Sequence, residues 1–153
     1  GGGTVIDSNY DNFKYEDAPQ RFEAGLQDYS GIIGLGEAIN YLKNIGFDNI
    51  EKNDLMLNKI ITEELLNKAE LIGPEDYRLR SSIFSFNIKK FSPLDIAGIL
   101  NSSKNICIRA GAHCVHSWFN KHNLKGSARV SLYLYNNEGE ARIFVEEIKK
   151  IIK

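Results

Sequence analysis

Segments in which apolar residues recur at helical spacing alternate along the chain with segments in which they recur at strand spacing. Apolar residues recur at helical spacing in the stretches 32–44, 48–72, 92–103 and 137–153. Strand-like patterns cover 81–89, 105–111 and 127–136, with a further short strand expected at 4–6. This order predicts an α/β fold, an α+β sandwich in which helices pack on a small, mostly antiparallel sheet.

Two of the predicted helices begin with strong capping signals. Ser92 precedes Pro93, and a serine cap followed by proline at the first helical position favours a helix start. Asn137 is followed three residues later by Glu140, as in a capping box. These local signals predict where both helices begin.

The strand predicted over 127–136 carries an arginine. Val130, Leu132 and Leu134 alternate with polar or aromatic positions, and Arg129 falls among the latter. Because successive side chains of a strand point to opposite faces, Arg129 is predicted to point away from the aliphatic face. It is available there for a ligand, although a solvated strand arginine explains the same pattern.

The composition is that of an ordinary globular protein. Of the 153 residues, 42% are hydrophobic and 25% charged, and the net charge is -1 at pH 7. This balance argues against a disordered chain, an acidic tail and a strongly basic nucleic-acid binder. No apolar run could cross a bilayer, and the N-terminus lacks the parts of a signal peptide. We therefore expect a cytoplasmic protein that binds neither membrane nor nucleic acid.

The stretch RAGAHCVHSW, residues 109–118, concentrates the chemistry of the chain. It holds Cys114, one of two cysteines, together with His113 and His116, two of three histidines. Positive charge from Arg109 and the imidazoles would favour a thiolate, which is the nucleophilic form of cysteine. Cys114 is therefore a candidate reactive thiol in a loop between two strands. An inert thiol in the loop or the core explains the pattern as well.

The same residue types raise the question of a metal. Both cysteines and all three histidines fall between positions 107 and 122, and these side chains suit zinc. Cys107 and Cys114 are seven positions apart rather than in a tight knuckle, so no metal site is predicted. A disulfide between them has no support in the pattern. Cys107 is interpreted as a small apolar side chain in a buried strand.

Three motifs together point to a family. They are RFEAG at 21–25, RAGAHC at 109–114 and SARVSLYLYN at 127–136. In this order the chain resembles the C-terminal portion of a group II (SUF-type) cysteine desulfurase or selenocysteine lyase, in the class V aminotransferase family of PLP enzymes of fold type I. The resemblance implies that 1–30 closes the PLP-binding large domain. It also implies that 31–153 is the small C-terminal domain that carries the nucleophilic cysteine loop.

The resemblance also assigns roles to individual residues. Cys114 matches the catalytic nucleophile, which would take up sulfur as a persulfide. Arg129 matches the arginine that holds the substrate carboxylate, and Arg109 matches a second arginine that helps to orient the substrate. His113 and His116 are residues that could tune the cysteine loop.

Pyridoxal 5'-phosphate (PLP) is the cofactor that the resemblance implies. No segment of this chain matches the family's Schiff-base lysine motif. Leu26 replaces a hydroxyl residue that helps many relatives to hold the cofactor phosphate, which leaves only the backbone at Gly25 as a cofactor-binding candidate. The opening glycines fit the end of the large domain in this family, although by themselves they also suggest a cloning linker.

The function that the resemblance implies is transfer of sulfur from L-cysteine, with release of L-alanine, for iron–sulfur cluster assembly or other thiolation. The expected partners are a missing N-terminal PLP domain, a sulfur-acceptor or scaffold protein, and a second copy in a homodimer. Without the cofactor lysine, the chain alone is expected to be inactive. A selenocysteine lyase and a stand-alone persulfide carrier or partner-docking module are the alternatives.

Overall fold

The computed structural model describes residues 2–153, which form two compact units. The first unit ends at Ile45, and the second is Gly46–Lys153. The boundary expected near residue 30 concerns the domains of a full-length protein and stays a prediction. Within the described residues, no helix is both long enough and apolar enough to span a membrane.

The first unit contains a two-stranded antiparallel ribbon and one long helix. Its elements are β1 (Val5–Ser8), β2 (Phe13–Tyr15), a 3-10 turn (Gln20–Phe22) and α1 (Tyr29–Ile45). The strand expected at 4–6 and the helix expected over 32–44 are confirmed. β2 was not predicted, because its side chains are all exposed and backbone pairing with β1 defines it.

The second unit is a four-stranded sheet with helices. Its strands are β3 (Glu70–Ile72), β4 (Ile83–Asn87), β5 (Arg109–Gly111) and β6 (Ser127–Ser131). Its helices are α2 (Phe47–Leu65), α3 (Pro93–Lys104), α4 (His116–Lys121) and α5 (Glu138–Ile152). The strand order is β3-β4-β6-β5, and each neighbouring pair is antiparallel. The predicted α/β sandwich with a mostly antiparallel sheet is confirmed.

One face of this sheet carries the hydrophobic core. Phe84 and Phe86 of β4 are fully buried, as is Ala128 of β6, and they pack with apolar side chains of α2, α3 and α5. Because side chains alternate along a strand, the positions between them belong to the opposite face. That opposite face includes Ser85 and Arg129, which lie directly across from each other.

Both capping predictions are confirmed by reciprocal hydrogen bonds. The hydroxyl of Ser92 accepts from the backbone N–H of Asp95 at 3.1 Å, and the Asp95 carboxylate accepts from the N–H of Ser92 at 3.0 Å. Asn137 and Glu140 form the same arrangement, with both distances at 3.0 Å. These bonds satisfy amide groups that a helix start leaves without intrahelical partners.

Several predicted elements differ from the structure. The helical pattern of 48–72 ends as a helix at Leu65, and its last residues form β3 because their backbone pairs with β4. Only Arg109–Gly111 of the run 105–111 pairs as a strand. The strand expected over 127–136 stops at Ser131. The loop expected between the last two strands contains α4.

Candidate active site

The register of the sheet brings two arginines side by side. Arg109 of β5 lies directly opposite Arg129 of β6. Directly opposite residues of an antiparallel pair point to the same face, so both guanidinium groups belong to the face opposite the hydrophobic core. The prediction that Arg129 points away from the aliphatic face is therefore confirmed.

This pair of arginines favours an anion. Like charges directly opposite each other on neighbouring strands destabilise a sheet, and a bound carboxylate between them would relieve that repulsion. Arg129 is half-buried, and its Nε is buried without a hydrogen-bond partner among residues 2–153. A guanidinium group with an unused donor is suited to bidentate binding of a carboxylate.

Cys114 lies in a tight turn directly after β5. The backbone N–H of Val115 donates to the carbonyl of Ala112 at 2.8 Å, which closes a four-residue turn. Its two central residues, His113 and Cys114, have φ values of 50° and 63°. Positive φ at both central positions is characteristic of a type I′ turn, which glycine, asparagine and aspartate normally form. The turn thus holds two side chains in a sterically unfavourable backbone conformation.

The thiol of Cys114 faces the first of the two arginines. Nη2 of Arg109 lies 3.5 Å from Sγ of Cys114, within hydrogen-bonding distance for sulfur. Cys114 is exposed and free, so a place in the core is excluded for this residue, whereas the choice between a reactive and an inert loop thiol stays a prediction. A guanidinium donor at this distance can hold a thiolate through a charge-assisted hydrogen bond. The structure therefore brings Cys114, Arg109 and Arg129 together.

His113 points toward the sheet rather than toward the solvent. Its Nε2 lies 2.8 Å from Oγ of Ser127, which is fully buried at the start of β6. Burial lowers the pKa of His113, and the charges of Arg129 and Arg109 lower it further. These effects favour the neutral form of the imidazole, and a hydrogen bond with the Ser127 backbone acts in the opposite direction. Ser127 was not singled out from the sequence, and its only signal there is that it shares the strand face of Arg129.

Removing the charge of Arg129 should raise the pKa of His113. We expect Arg129→Met to shift the protonation of His113 to higher pH, because only burial and Arg109 would then oppose it. Exchange of the imidazole C2 hydrogen for deuterium, measured by mass spectrometry across a pH series, reports this pKa in a protein of any size. Lys125→Met is the control, since Lys125 is not one of the two cations that lower it. If the pH dependence of C2 exchange at His113 were the same in both variants, the charge of Arg129 would not lower the pKa of His113.

Two glycines let the strands approach closely below the Cys114 turn. A Cβ atom at Gly126 would lie 2.7 Å from the carbonyl carbon of Gly111, and Gly126 has a φ of 130°. The carbonyl of Gly126 also accepts from the side chain of Asn87 at 3.1 Å. Only glycine fits such a close backbone approach at this φ. This close approach of Gly111 and Gly126 lets the end of β5 lie against the start of β6. The Cys114 turn begins directly after that end of β5.

We expect Gly126→Ala to destabilise the second unit by more than about 1 kcal/mol, because the new Cβ meets backbone atoms that cannot rotate away. The expected results are a lower thermal unfolding midpoint and faster amide hydrogen exchange around the Cys114 turn. Gly98→Ala is the matched control. Gly98 lies exposed in α3 with open space around it, and replacing a helical glycine with alanine should stabilise the protein by about 0.5–1 kcal/mol. Equal midpoints for the two variants would contradict the role given to Gly126.

The other cysteine and histidine candidates lie apart from these contacts. Cys107 is exposed and free, so its interpretation as a buried strand residue is wrong; β5 begins only at Arg109, and Sγ of Cys107 lies 3.8 Å from the side chain of Asn101. His116 is exposed at the start of α4. No three His, Cys, Asp or Glu side chains within 2–153 are grouped so that they could hold a metal ion.

The cofactor candidate lies in the first unit and does not by itself fit a phosphate. The backbone N–H of Gly25 already donates to the carbonyl of Gly2 at 2.8 Å. The neighbouring Leu26 is 91% exposed and has no hydroxyl to offer. A contact between Gly25 and the cofactor phosphate therefore stays a prediction.

Comparisons with known proteins agree on one family. Residues 1–144 match the model of the family described as "Aminotransferase class-V". The chain is 36% identical, over 99% of its length, to a probable cysteine desulfurase of Methanothermobacter thermautotrophicus. It is 34% identical, over 100% of its length, to a probable cysteine desulfurase of Pyrococcus abyssi. In both cases it spans 38% of the relative's length.

Solved structures give the same result for the fold. The apo structure of a cysteine desulfurase from Thermococcus onnurineus superposes with a TM-score of 0.87 at 33% identity, over 99% of this chain and 38% of that one. The cysteine desulfurase CsdA of Escherichia coli has a TM-score of 0.81 at 23% identity, over 98% of this chain and 37% of that one. The second likeness shows the fold alone.

Proposed function

Because the chain belongs to the class V aminotransferase family, we propose that a full-length protein containing it is a cysteine desulfurase. The observation that carries this proposal is the 3.5 Å contact between Sγ of Cys114 and Nη2 of Arg109. Arg109 lies in turn directly opposite Arg129. A nucleophile and a carboxylate-binding pair in one place match the two needs of an enzyme that removes sulfur from an amino acid.

In this proposal Arg129 and Arg109 bind the carboxylate of L-cysteine, and Cys114 attacks its sulfur. A bond forms between Sγ of Cys114 and the substrate sulfur, and the bond between that sulfur and the substrate Cβ breaks. The carbon takes up a proton to become the methyl group of L-alanine. Cys114 is left as a persulfide, so that the atoms and electrons of cysteine and thiol are all found in alanine and persulfide.

The family implies that PLP supplies the electron sink that weakens the bond to sulfur. No segment of this chain matches the family's Schiff-base lysine motif, and we assign that lysine to the part of the relatives' length that this chain does not span. The chain's own contribution is to bind and orient the substrate and to accept its sulfur. We propose further that a homodimer in the cytoplasm passes the persulfide sulfur to an acceptor or scaffold protein of iron–sulfur cluster assembly.

The proposal is tested with the full-length protein in the presence of PLP. L-Cysteine should be converted to L-alanine, with one sulfur delivered to an added thiol such as dithiothreitol for each alanine released. L-Selenocysteine, assayed in parallel, separates a desulfurase from a selenocysteine lyase. Turnover of selenocysteine with none of cysteine would refute the assignment, as would absence of alanine from both substrates.

A further inference from the structure

We propose that His113 and Ser127 are a positioning pair that fixes the Cys114 thiol beside Arg109. The pair deepens the proposed function and rests on it, since its purpose is to present the sulfur acceptor to a bound substrate. Neither residue needs to touch the substrate. Each acts through the backbone of the turn that carries Cys114.

The turn needs such support because its conformation is unfavourable for its residues. His113 and Cys114 both have positive φ values, of 50° and 63°, where a side chain with a Cβ atom crowds the backbone. Unfavourable backbone conformations persist only where the surrounding structure holds them, and they are concentrated at functional sites. A turn formed by these two residues would otherwise relax.

The support comes from the sheet. Ser127 is fully buried in β6, where it pairs with Gly111 of β5, and its Oγ lies 2.8 Å from Nε2 of His113. The ring of Phe119, in α4, lies 6.0 Å from the imidazole. Nδ1 of His113 is buried without a partner among residues 2–153. The Ser127 hydroxyl is therefore the side-chain partner of this imidazole, which also has a hydrogen bond with the backbone of Ser127.

Anchoring the imidazole also positions the thiol. His113 and Cys114 are the two central residues of one turn, so a fixed His113 holds the backbone of Cys114 and with it the direction of its Cα–Cβ bond. The result is the 3.5 Å separation between Sγ and Nη2 of Arg109. Without the anchor the turn can move away from positive φ, and the sulfur then leaves the guanidinium donor.

The test measures the reactivity of Cys114 against an internal reference. The full-length protein is treated with iodoacetamide at neutral pH, and the rates of alkylation at Cys114 and at the exposed Cys107 are compared by mass spectrometry of their peptides. In Ser127→Ala we expect the ratio of the Cys114 rate to the Cys107 rate to fall about fivefold, the equivalent of one neutral hydrogen bond. Ser117→Ala, which changes an exposed serine of α4, should leave the ratio unchanged.

Substitutions of His113 provide a second measurement should Ser127→Ala fail to fold. His113→Leu should lower the ratio as Ser127→Ala does. His113→Gln places an amide where Nε2 lies, so this variant should keep most of the parent ratio of the Cys114 rate to the Cys107 rate. In turnover assays with L-cysteine, His113→Leu should lower kcat about fivefold with KM nearly unchanged, because the arginines that bind the substrate are untouched.

Each outcome decides for or against the pair. A lowered ratio with rescue by glutamine supports it, whereas an unchanged or raised ratio in both Ser127→Ala and His113→Leu overturns it. The proposal would also be overturned if KM rose by the same factor as kcat fell, because that result indicates general damage to the site. The alkylation ratio needs no turnover, so it reports on the pair even if the full-length protein fails to release alanine from cysteine.

Discussion

Cys114→Ala should reduce cysteine-dependent alanine release by the full-length protein by on the order of 10³-fold or more, the scale of loss seen when a covalent nucleophile is removed. The reason is chemical. In the proposed reaction the Cys114 sulfur forms the bond that replaces the bond between carbon and sulfur in the substrate. The other cysteine of the chain, Cys107, lies outside the turn and faces Asn101.

The control for this variant is Cys107→Ala. It removes a thiol that is also exposed but whose hydrogen-bond contacts are with Asn101 and Asn105, and it should keep the activity of the parent protein. The measurement is the initial rate of alanine formation with dithiothreitol as sulfur acceptor. If Cys114→Ala kept full activity, or if Cys107→Ala lost it, the nucleophile would be wrongly assigned.

Arg129→Met should lower kcat/KM for L-cysteine by roughly 10- to 150-fold, which corresponds to loss of about 1.5–3 kcal/mol from hydrogen bonds to a charged group. The buried Nε of Arg129 has no partner among residues 2–153, so a substrate carboxylate would be its natural acceptor. The loss should appear mainly as a higher KM, since the carboxylate is bound throughout the reaction.

The variant Arg129→Lys separates the contribution of the positive charge from that of the guanidinium geometry. Lysine keeps the positive charge but lacks the planar fork that binds a carboxylate through two hydrogen bonds, so this variant should recover only part of the lost kcat/KM. Arg142→Lys is the matched control, because Arg142 lies exposed on α5 in an ion pair with Glu138. An unchanged KM in both Arg129 variants would show that the carboxylate is bound elsewhere.

The features that the sequence predicts best depend on nearby residues. The capping boxes at Ser92 and Asn137 each use a partner three residues away, so the pattern and the structure agree. The face of Arg129 was predicted for the same reason, because alternation along one strand decides it. The motif RFEAG at 21–25, together with the motifs around Cys114 and Arg129, indicated the family.

The features that the sequence does not predict depend on distant pairing. β3 is three residues long and is defined by its pairing with β4. Because the sequence does not show this pairing, its apolar residues were predicted to continue the preceding helix. Cys107 was assigned to a buried strand because no local signal shows that β5 begins only at Arg109. The contact between His113 and Ser127 joins residues fourteen positions apart, across a turn whose positive φ values its residue types do not suggest.

If Cys114 accepts the sulfur of L-cysteine, a persulfide must form on this residue, and that persulfide can be detected directly. The full-length protein is incubated with PLP and L-cysteine without reductant, capped with an alkylating agent and digested with trypsin, which separates Cys107 from Cys114 by cutting after Arg109. The Cys114 peptide is expected to gain the mass of one sulfur atom, whereas the Cys107 peptide is not. Sulfur on any other cysteine, with Cys114 unmodified, would contradict it.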